Sequence, residues 1–398
     1  MSIGVEKAHP FFEPDEFTAI NNRYFADFLK TGKAEIDLSG WIETLSQADE
    51  LLPPSVPQLP LGRYYMDEGS ALGEIRPKLH HLLELWEGVA FDPLRFTVCP
   101  SVGIASLLTM AVLRRRGITR IVFETPCYFA ALLQAEWLGF EVVMMPTYAR
   151  DGYKRNGEDE QSVPGFPTAW WLTHPRVCLG FDQAHKELEN LITTRTSADY
   201  VVIDEALDQS FPSHLAGLSH VADRSRVVRL KCFGKPLGLN GYRLAFALHD
   251  PELRAEMIDC LETFSGAVDA HSVAAACAAA ADPQRFRTML QVANQQVRSV
   301  RLAADKICVD GGVRINPLVN GYIGSATVDL SRLGGDCRIR RHRFLCACQR
   351  LGMPVIIGQS MHFAFDPPSE AVRLNFFSRR EHIIRGVSAL VEIASGSI

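Results

Sequence analysis

The chain has 398 residues, of which 47% are hydrophobic and 22% are charged, a balance that indicates a globular protein with a large core and two domains. Its 41 basic and 46 acidic residues give a formal net charge of −5, so the composition disfavours a protein that binds polyanions. No apolar run reaches the roughly 18 residues of a membrane span, and the ten cysteines contain no CxxC pair or metal-ligand spacing.

Residues 1–64 predict an N-terminal arm that also forms part of a smaller domain. They are polar at first and then proline-rich at LLPPSVPQLPLG, where closely spaced prolines disfavour helices and central strands. The opening MSIGVEKAHPFFEPDEF contains acids and prolines where a signal peptide needs an apolar core. We therefore expect a cytoplasmic protein whose cysteines stay reduced.

Residues 65–283 predict a large α/β domain. Seven short runs rich in valine, isoleucine and aromatic residues alternate with amphipathic helices such as GIASLLTMAVLRRR and YFAALLQAEWLGF. Several of these runs are apolar on both faces, which is typical of buried parallel strands. We therefore expect a mostly parallel sheet, with strands at RFTVC, IVFET, EVVMMP, TAWWLT, YVVIDE, RVVRL and LAFAL.

Residues 284–398 predict a smaller C-terminal α+β domain. The segment DPQRFRTMLQVANQQVRSVRLAADKI indicates one long helix. Shorter segments follow it, namely RINPLVNGYIGSATVDL, a basic helix around RHRFLCACQRLG, the strands MPVIIG and AVRLNF, and a last helix.

Polar residues at the ends of these apolar strands are the candidate site residues, because ligands of doubly wound sheets bind beyond the carboxyl ends of strands. YVVIDE carries Asp204 near its end, the following loop carries Lys235, and Arg373 interrupts AVRLNF. The segment TVCPSVGIASLL passes through Ser101 and Gly103 into a helix start, where free N–H groups and the helix dipole bind anions. Taken singly, each feature also has a structural explanation as a cap, a solvated lysine, a surface ion pair or close packing.

The order and spacing of these residues together are much more specific. A run of small residues precedes Lys235, a glycine and a leucine follow it, and Arg243 lies eight residues beyond the lysine. This arrangement resembles the signature of the fold-type I pyridoxal-phosphate enzymes, the aspartate aminotransferase superfamily (class I/II aminotransferases). The resemblance spans most of the chain, from about Tyr64 to Phe377. It implies that superfamily's fold, pyridoxal 5′-phosphate as cofactor, and a homodimer with shared active sites.

The resemblance also implies roles for individual residues. Lys235 corresponds to the lysine that forms a Schiff base with the cofactor aldehyde, and Asp204 to the carboxylate that keeps the pyridine nitrogen protonated. The phosphate of the cofactor is expected to contact Arg243 and the backbone of Val102, Gly103 and Ile104. The ring is expected to contact Tyr128. Cys232 and Tyr64 or Tyr65 of the neighbouring subunit are further expected cofactor contacts. The expected substrate contacts are Arg373 at the α-carboxylate, together with Gly40, Tyr322 and His362, and no metal is implied.

The chain departs from the family pattern around the cofactor's 3-hydroxyl oxygen. The two side chains that donate hydrogen bonds to this oxygen in the family correspond here to Val177 and Leu207, and neither side chain can donate. Two serines that precede the lysine are replaced by Cys232 and Gly234. Because donors to this oxygen favour the deprotonated Schiff base, we expect a raised pKa for the Schiff base of Lys235, unless His174 or Arg176 supplies another donor.

The expected function is that of a pyridoxal-phosphate enzyme acting on an α-amino acid, and an aminotransferase of amino-acid biosynthesis is favoured. The alternative is a lyase, cyclase or oxidase of specialised amino-acid metabolism, which would share the cofactor and the first deprotonation. A cofactor-binding regulator is disfavoured because residues 1–64 contain no helix-turn-helix pattern or basic surface. We expect a small-molecule substrate and no nucleic-acid or membrane partner.

Overall fold

A computed structural model describes most of the chain, and the residues it describes are 16–31, 35–38, 71–148, 166–176, 199–215, 226–308, 311–318, 320–358 and 368–398. Within these ranges no helix combines the length and the apolar character that crossing a bilayer requires. The helices in them are α1 (Glu16–Thr31), α2 (Ala71–Glu87), α3 (Val102–Arg115), α4 (Phe129–Trp137), α5 (Arg254–Phe264), α6 (Ala270–Ala281), α7 (Pro283–Asp305), α8 (Cys337–Arg350) and α9 (Arg380–Ser395).

The larger sheet has seven strands, in the order β1-β7-β6-β5-β4-β2-β3. β7 is antiparallel to both of its neighbours, and the other adjacent strands are parallel. All seven predicted strands and the mostly parallel sheet are thereby confirmed. The strands are β1 (Phe96–Cys99), β2 (Arg120–Thr125), β3 (Glu141–Pro146), β4 (Thr168–Thr173), β5 (Tyr200–Glu205), β6 (Val227–Cys232) and β7 (Ala245–Leu248).

A smaller antiparallel sheet follows in the chain, with strand order β10-β9-β8 and the strands β8 (Val313–Ile315), β9 (Ile323–Asp329) and β10 (Ser369–Asn375). The short segment 35–38 packs on this part of the molecule. The backbone N–H of Asn375 donates to the carbonyl of Leu38 at 2.8 Å, and the N–H of Asp37 donates to Nδ1 of His382 at 2.9 Å. Part of the N-terminal region therefore contacts the C-terminal region, while the domain boundaries at 64 and 283 stay a prediction.

Helices cover both faces of the larger sheet, which explains why its strands are apolar on both sides. Along β7, Ala245 and Ala247 pack in one cluster with residues of α3 and α5, whereas Phe246 packs in another with residues of α2 and α7. Complete burial of a side chain as large as phenylalanine contributes about 1.5–3 kcal/mol. Because helices cover both faces of this sheet, its accessible polar positions lie at the ends of the strands.

Candidate active site

A cavity of about 600 Å³ lies beyond the carboxyl ends of β4, β5 and β6. It is lined from the larger sheet by Asp204 and from the loop after β6 by Lys235. The smaller sheet contributes Ile323 and Arg373 to its opposite wall. The structure therefore brings the main predicted site residues together in one place.

A tight loop brings Lys235 to this cavity. Residues Lys235–Leu237 form one 3₁₀ turn, which ends at Gly238 with a left-handed φ of 70°. The N–H of Gly238 donates to the carbonyl of Lys235 at 3.0 Å. A Cβ atom at position 234 would collide with the carbonyl oxygens of Leu239 and Tyr242. Only glycine therefore fits immediately before the lysine, where a serine would disrupt the loop.

Tyr128 forms the aromatic wall opposite the lysine. It is the residue directly before α4, and its ring is half-buried at the cavity. The Nζ atom of Lys235 lies over this ring, 5.5 Å from its centroid. The lysine and a flat aromatic surface therefore face each other across the cavity.

Asp204 is a buried carboxyl at the end of β5, with 4% of its surface exposed. Its Oδ1 accepts a hydrogen bond from the N–H of Ala206 at 2.9 Å. Burial raises the pKa of Asp204 above its usual range, and the adjacent Glu205 adds to this, although Lys235 and the Ala206 N–H oppose the increase. The site thus contains an acid whose charge is only partly compensated by the described residues.

The start of α3 forms an anion-binding end of the cavity. Ser101 caps this helix, and its Oγ accepts the N–H of Ile104 at 3.2 Å. The N–H groups of Val102 and Gly103 have no partner within the helix, as at any helix start. A Cβ atom on Gly103 would meet only Ser101 Oγ, at 3.7 Å, so there is open space in front of it. Val102 and Gly103 line the cavity, whereas the predicted contact Ile104 does not line it and has its N–H occupied by the cap.

Arg243 lies at the exposed rim of the cavity, and the cap of α6 holds its backbone. Its N–H donates to Ser272 Oγ at 2.8 Å, and this hydroxyl donates to Asp269 Oδ2 at 2.5 Å. Burial opposes ionisation of Asp269, but hydrogen bonds from Ser272 hold the pKa of this carboxyl below its usual range. The backbone of this exposed cation is thus anchored, and Arg243 lines the same cavity as the start of α3.

Gln134 of α4 holds the start of α3 in place, and the sequence analysis did not predict this residue. Its Nε2 donates to the carbonyl of Gly103 at 2.9 Å, and its Oε1 accepts from Ser106 Oγ at 2.7 Å. The only available signal was a single amide within the apolar helix YFAALLQAEW. This side chain ties α4 to the anion-binding end of the cavity.

Arg373 lies in the cavity wall that the smaller sheet contributes, and it is 3% exposed. Its backbone N–H donates to the carbonyl of Ile356 at 2.9 Å, so the two residues line the same wall. Asn22 and Phe25, which lie three residues apart on one face of α1, complete this wall and were also missed. No motif marks them, because their position depends on how α1 packs.

Several predicted residues lie away from the cavity or outside the described ranges. Tyr322 does not line the cavity but is 1% exposed and stacks on Phe377, with ring centroids 4.2 Å apart. Burial raises the pKa of Tyr322, as expected for a phenol in the core. The predictions for Gly40, Tyr64, Tyr65, Val177 and His362 concern residues outside the described ranges.

The positions that replace family hydrogen-bond donors are mostly occupied by apolar or weakly polar groups. Leu207 lines the cavity and is 8% exposed, and buried Cys232 also lines it. Arg176, one of the two suggested substitutes, pairs with Glu124 at 2.6 Å and does not line the cavity. His174, the other substitute, is buried and is not a lining residue either. Thr173, which sequence reasoning missed, does line the cavity.

The family follows from a comparison with known proteins. The model of the family described as aminotransferase class I and II matches residues 71–315, which is more than half of the chain. The chain belongs to the aminotransferase class I and II family. A curated relative, an aromatic amino acid aminotransferase of Rhodococcus erythropolis, is 28% identical over 166 residues. This match covers 42% of the present chain and 46% of the relative, so it spans about half of the relative's length.

Solved structures of two aminotransferases share the fold of this chain. A double mutant of the Thermus thermophilus aspartate aminotransferase superposes with a TM-score of 0.77 at 17% identity, covering 96% of the present chain and 97% of that chain. An aromatic aminotransferase from Pyrococcus horikoshii gives 0.75 at 16% identity, covering 94% and 99%. At such low identity these matches establish the fold alone.

Members of the aminotransferase class I and II family use pyridoxal 5′-phosphate, and the cavity residues fit this group. Asp204 is a buried acid that a protonated ring nitrogen would neutralise. The open space before Gly103 and the nearby Arg243 suit a phosphate. Lys235 and Tyr128 lie where an aldehyde and a ring face would contact them. The ring nitrogen, the phosphate and the aldehyde of the cofactor therefore each have a suitable described side chain or helix end.

Proposed function

We propose that the chain is a pyridoxal-phosphate-dependent aminotransferase of α-amino acids. The observation that carries this proposal is the convergence of Lys235, Asp204 and the start of α3 on one cavity. When bound, pyridoxal phosphate supplies an aldehyde that takes up amines and a ring that withdraws electrons from the substrate's α-carbon. Family membership supports the proposal, since the match covers the segment that carries all three features.

Lys235 and Asp204 perform the proton chemistry in this proposal. The side-chain amine of Lys235 would hold the cofactor at its aldehyde, and binding of the substrate amine there would leave the side chain of Lys235 free. The free amine takes the proton from the α-carbon and delivers it to the C4′ carbon of the cofactor. Asp204 holds a proton on the ring nitrogen, because a cation beside this buried carboxyl compensates its charge.

The remaining residues bind the phosphate and the ring of the cofactor and orient the substrate. The N–H groups of Val102 and Gly103, together with Arg243, hold the phosphate at the start of α3. Tyr128 covers one face of the ring. The guanidinium of Arg373 orients the α-carboxylate of the substrate, a task that suits a planar donor with two parallel N–H groups.

An uncharged, apolar or aromatic substrate side chain is part of the proposal. Arg373 shares its wall with Phe25, Ile323 and Ile356. The cations among the described lining residues are Lys235, Arg243 and Arg373, and each already has a role, so none is left for a second carboxylate. The relative from Rhodococcus erythropolis is named for aromatic amino acids, which supports the same choice.

A cytoplasmic homodimer is the assembly that we propose. At the cavity rim the aromatic side chain of Phe129 is 45% exposed, and a second subunit would cover it. Neither a nucleic acid nor a membrane is a proposed partner, since the net charge of −5 offers no attraction to polyanions. Mass photometry of the purified protein tests the dimer, and a monomer at micromolar concentration would contradict it.

The reaction is tested by incubating the protein with pyridoxal phosphate, reducing it with borohydride and locating the modified peptide by mass spectrometry. We expect a pyridoxyl group on Lys235 and none on Lys231. Turnover is then measured with aromatic, aliphatic and acidic amino acids, with and without a keto-acid acceptor. Aromatic or aliphatic turnover that requires the acceptor is expected. Turnover without an acceptor would instead indicate a lyase, cyclase or oxidase.

A further inference from the structure

Thr173 is a buried threonine at the last position of β4, with 4% of its surface exposed. It lines the cavity, and its hydroxyl oxygen has no hydrogen-bond partner among the described residues. A buried hydroxyl without a partner destabilises the fold, so such a group is expected to have a partner in the working protein. The hydroxyl of Thr173 therefore indicates that a hydrogen-bonding atom of a ligand binds on this side of the cavity.

We propose that the Thr173 hydroxyl donates a hydrogen bond to the 3-hydroxyl oxygen of bound pyridoxal phosphate. This proposal rests on the proposed function, because it requires the cofactor in the cavity. It assigns the role of the two absent family donors to a residue outside the aligned motif.

The strand register places Thr173 correctly for this contact. Thr173 of β4 is the direct partner of Asp204 of β5, so both side chains point to the same face of the sheet. Adjacent strands are about 4.8 Å apart. On the cofactor, a single ring carbon separates the ring nitrogen from the carbon that bears the 3-hydroxyl group. A ring whose nitrogen faces Asp204 therefore brings this oxygen towards the neighbouring strand end, where Thr173 lies.

The other side chains near this point are less suitable donors. Leu207 is apolar, and the Sγ atom of Cys232 already faces the carbonyl oxygen of Leu244 at 3.8 Å. Cys127 lines the cavity, but a thiol is a weak donor. Arg176 is committed to Glu124 at the end of β2. Among these residues, Thr173 is thus the one whose hydroxyl is available to donate to the 3-hydroxyl oxygen of the cofactor.

The charged surroundings stay constant when only Thr173 is changed. Besides Asp204 and Lys235, the titratable side chains that line the cavity are Cys127, Tyr128, Cys232, Tyr242, Arg243 and Arg373. In the chain, Thr173 is followed by His174 and by Arg176, which forms an ion pair with Glu124. A change in the titration of the Lys235 Schiff base on removal of one hydroxyl therefore reports on that hydroxyl.

The experiment compares Thr173→Val with Thr173→Ser in the cofactor-loaded protein. The pH midpoint of the Schiff-base absorbance is the readout. A hydrogen bond to a charged oxygen is worth about 1.5–3 kcal/mol, so Thr173→Val should raise this midpoint by about one to two pH units. Thr173→Ser should keep the wild-type midpoint. Thr97→Val is the matched control, since the hydroxyl of buried Thr97 already bonds Nε2 of His249 at 2.8 Å.

Melting of the cofactor-free protein gives a second readout. Because the Thr173 hydroxyl is then without a partner, Thr173→Val should leave the melting temperature unchanged or raise it. An unchanged midpoint in Thr173→Val, or the same shift in Thr173→Ser, would overturn the proposal. If the wild type forms no Schiff base with pyridoxal phosphate at all, the proposed function fails instead, and the two failures are distinguishable.

Discussion

Two consecutive acids of β5, Asp204 and Glu205, point to opposite faces of the same sheet and have opposite pKa shifts. Burial raises the pKa of Asp204, and Lys235 only partly opposes this. Burial acts on Glu205 in the same sense, but Arg229 and Lys231 outweigh it and lower the pKa. The two residues are equally buried, so the difference comes from their partners and not from their depth.

The face behind Glu205 carries a closed network of buried charges. Arg229 contacts Glu205 and Glu87, each at 2.5 Å, and Lys231 contacts the same two carboxylates at 2.9 and 3.1 Å. Asp208 lies 3.8 Å from Lys231. Each cation therefore meets two or more acids, and these side chains need no ligand to satisfy them.

Comparing the two faces of the sheet distinguishes a charge cluster that stabilises the fold from a site that binds a ligand. On the network face, the described partners satisfy the charges and hold α2 against β5 and β6. On the cavity face, Asp204 and the hydroxyl of Thr173 remain incompletely compensated. Among the buried groups without a full set of partners, those that line the cavity are the ones that a ligand in it would complete.

The largest expected effect comes from the lysine on the cavity face. Lys235→Ala should abolish the Schiff-base absorbance and lower turnover by at least roughly 10²–10⁴-fold, because covalent attachment and proton transfer are both lost. Stopped-flow absorbance and a keto-acid assay measure the two effects. Lys306→Ala, at an exposed lysine after α7, is the control and should be silent. Normal turnover in Lys235→Ala would remove the basis for the proposed function.

The lysine on the network face should instead affect stability. Lys231→Met leaves Glu87 and Glu205 with one cation fewer, and breaking a buried ion pair costs about 3–5 kcal/mol of unfolding free energy. Urea unfolding of the cofactor-free protein measures this loss. Arg115→Ala is the matched control, since its pair with Asp259 is exposed to solvent and should contribute little to stability. Equal losses in the two variants would show that the network is not satisfied as described.

The sequence predicted the cavity face much better than the network face. Lys235, Asp204 and Arg243 lie at strand ends or in glycine-rich loops, where a polar residue interrupts an apolar pattern and follows a family spacing. Arg229 and Lys231 lie within the apolar run VVRLKC, and nothing local distinguishes a buried charge there from an exposed one. Their partner Glu87 is 142 residues from Arg229, so only the tertiary structure brings them together.

The cavity wall that contains Arg373 also includes residues that the sequence alone does not predict. Phe25 of α1 lines the cavity only because that helix packs against α8 and Asn21 donates to the carbonyl of Val355, and no periodicity predicts such a contact. Thr173 could have been found, since it ends an apolar strand as Asp204 does, but it lies outside the family motif. Tyr322 was placed by family position, and the stacking on Phe377 holds it in the core.

The smallest expected effect is a pair of stability changes of opposite sign in the cofactor-free protein. Because the folded pKa of Asp204 is raised, its ionisation destabilises the fold as pH rises through that pKa. Asp204→Asn should therefore be more stable than wild type at neutral pH, by less than Lys231→Met loses. The folded pKa of Glu205 is lowered, so its stabilising effect is present above the unfolded value of about 4.3 and is lost on acidification.

Glu205→Gln should accordingly be less stable than wild type at neutral pH, and this deficit should shrink as pH falls through the acid range. Melting curves of both variants across pH test the two signs together. With cofactor bound the Asp204 result should reverse, because the protonated ring nitrogen then compensates its charge and the asparagine variant loses that partner. A stability loss of similar size in both cofactor-free variants would mean that Asp204 is as well satisfied as Glu205, and the distinction between the two faces would then fail.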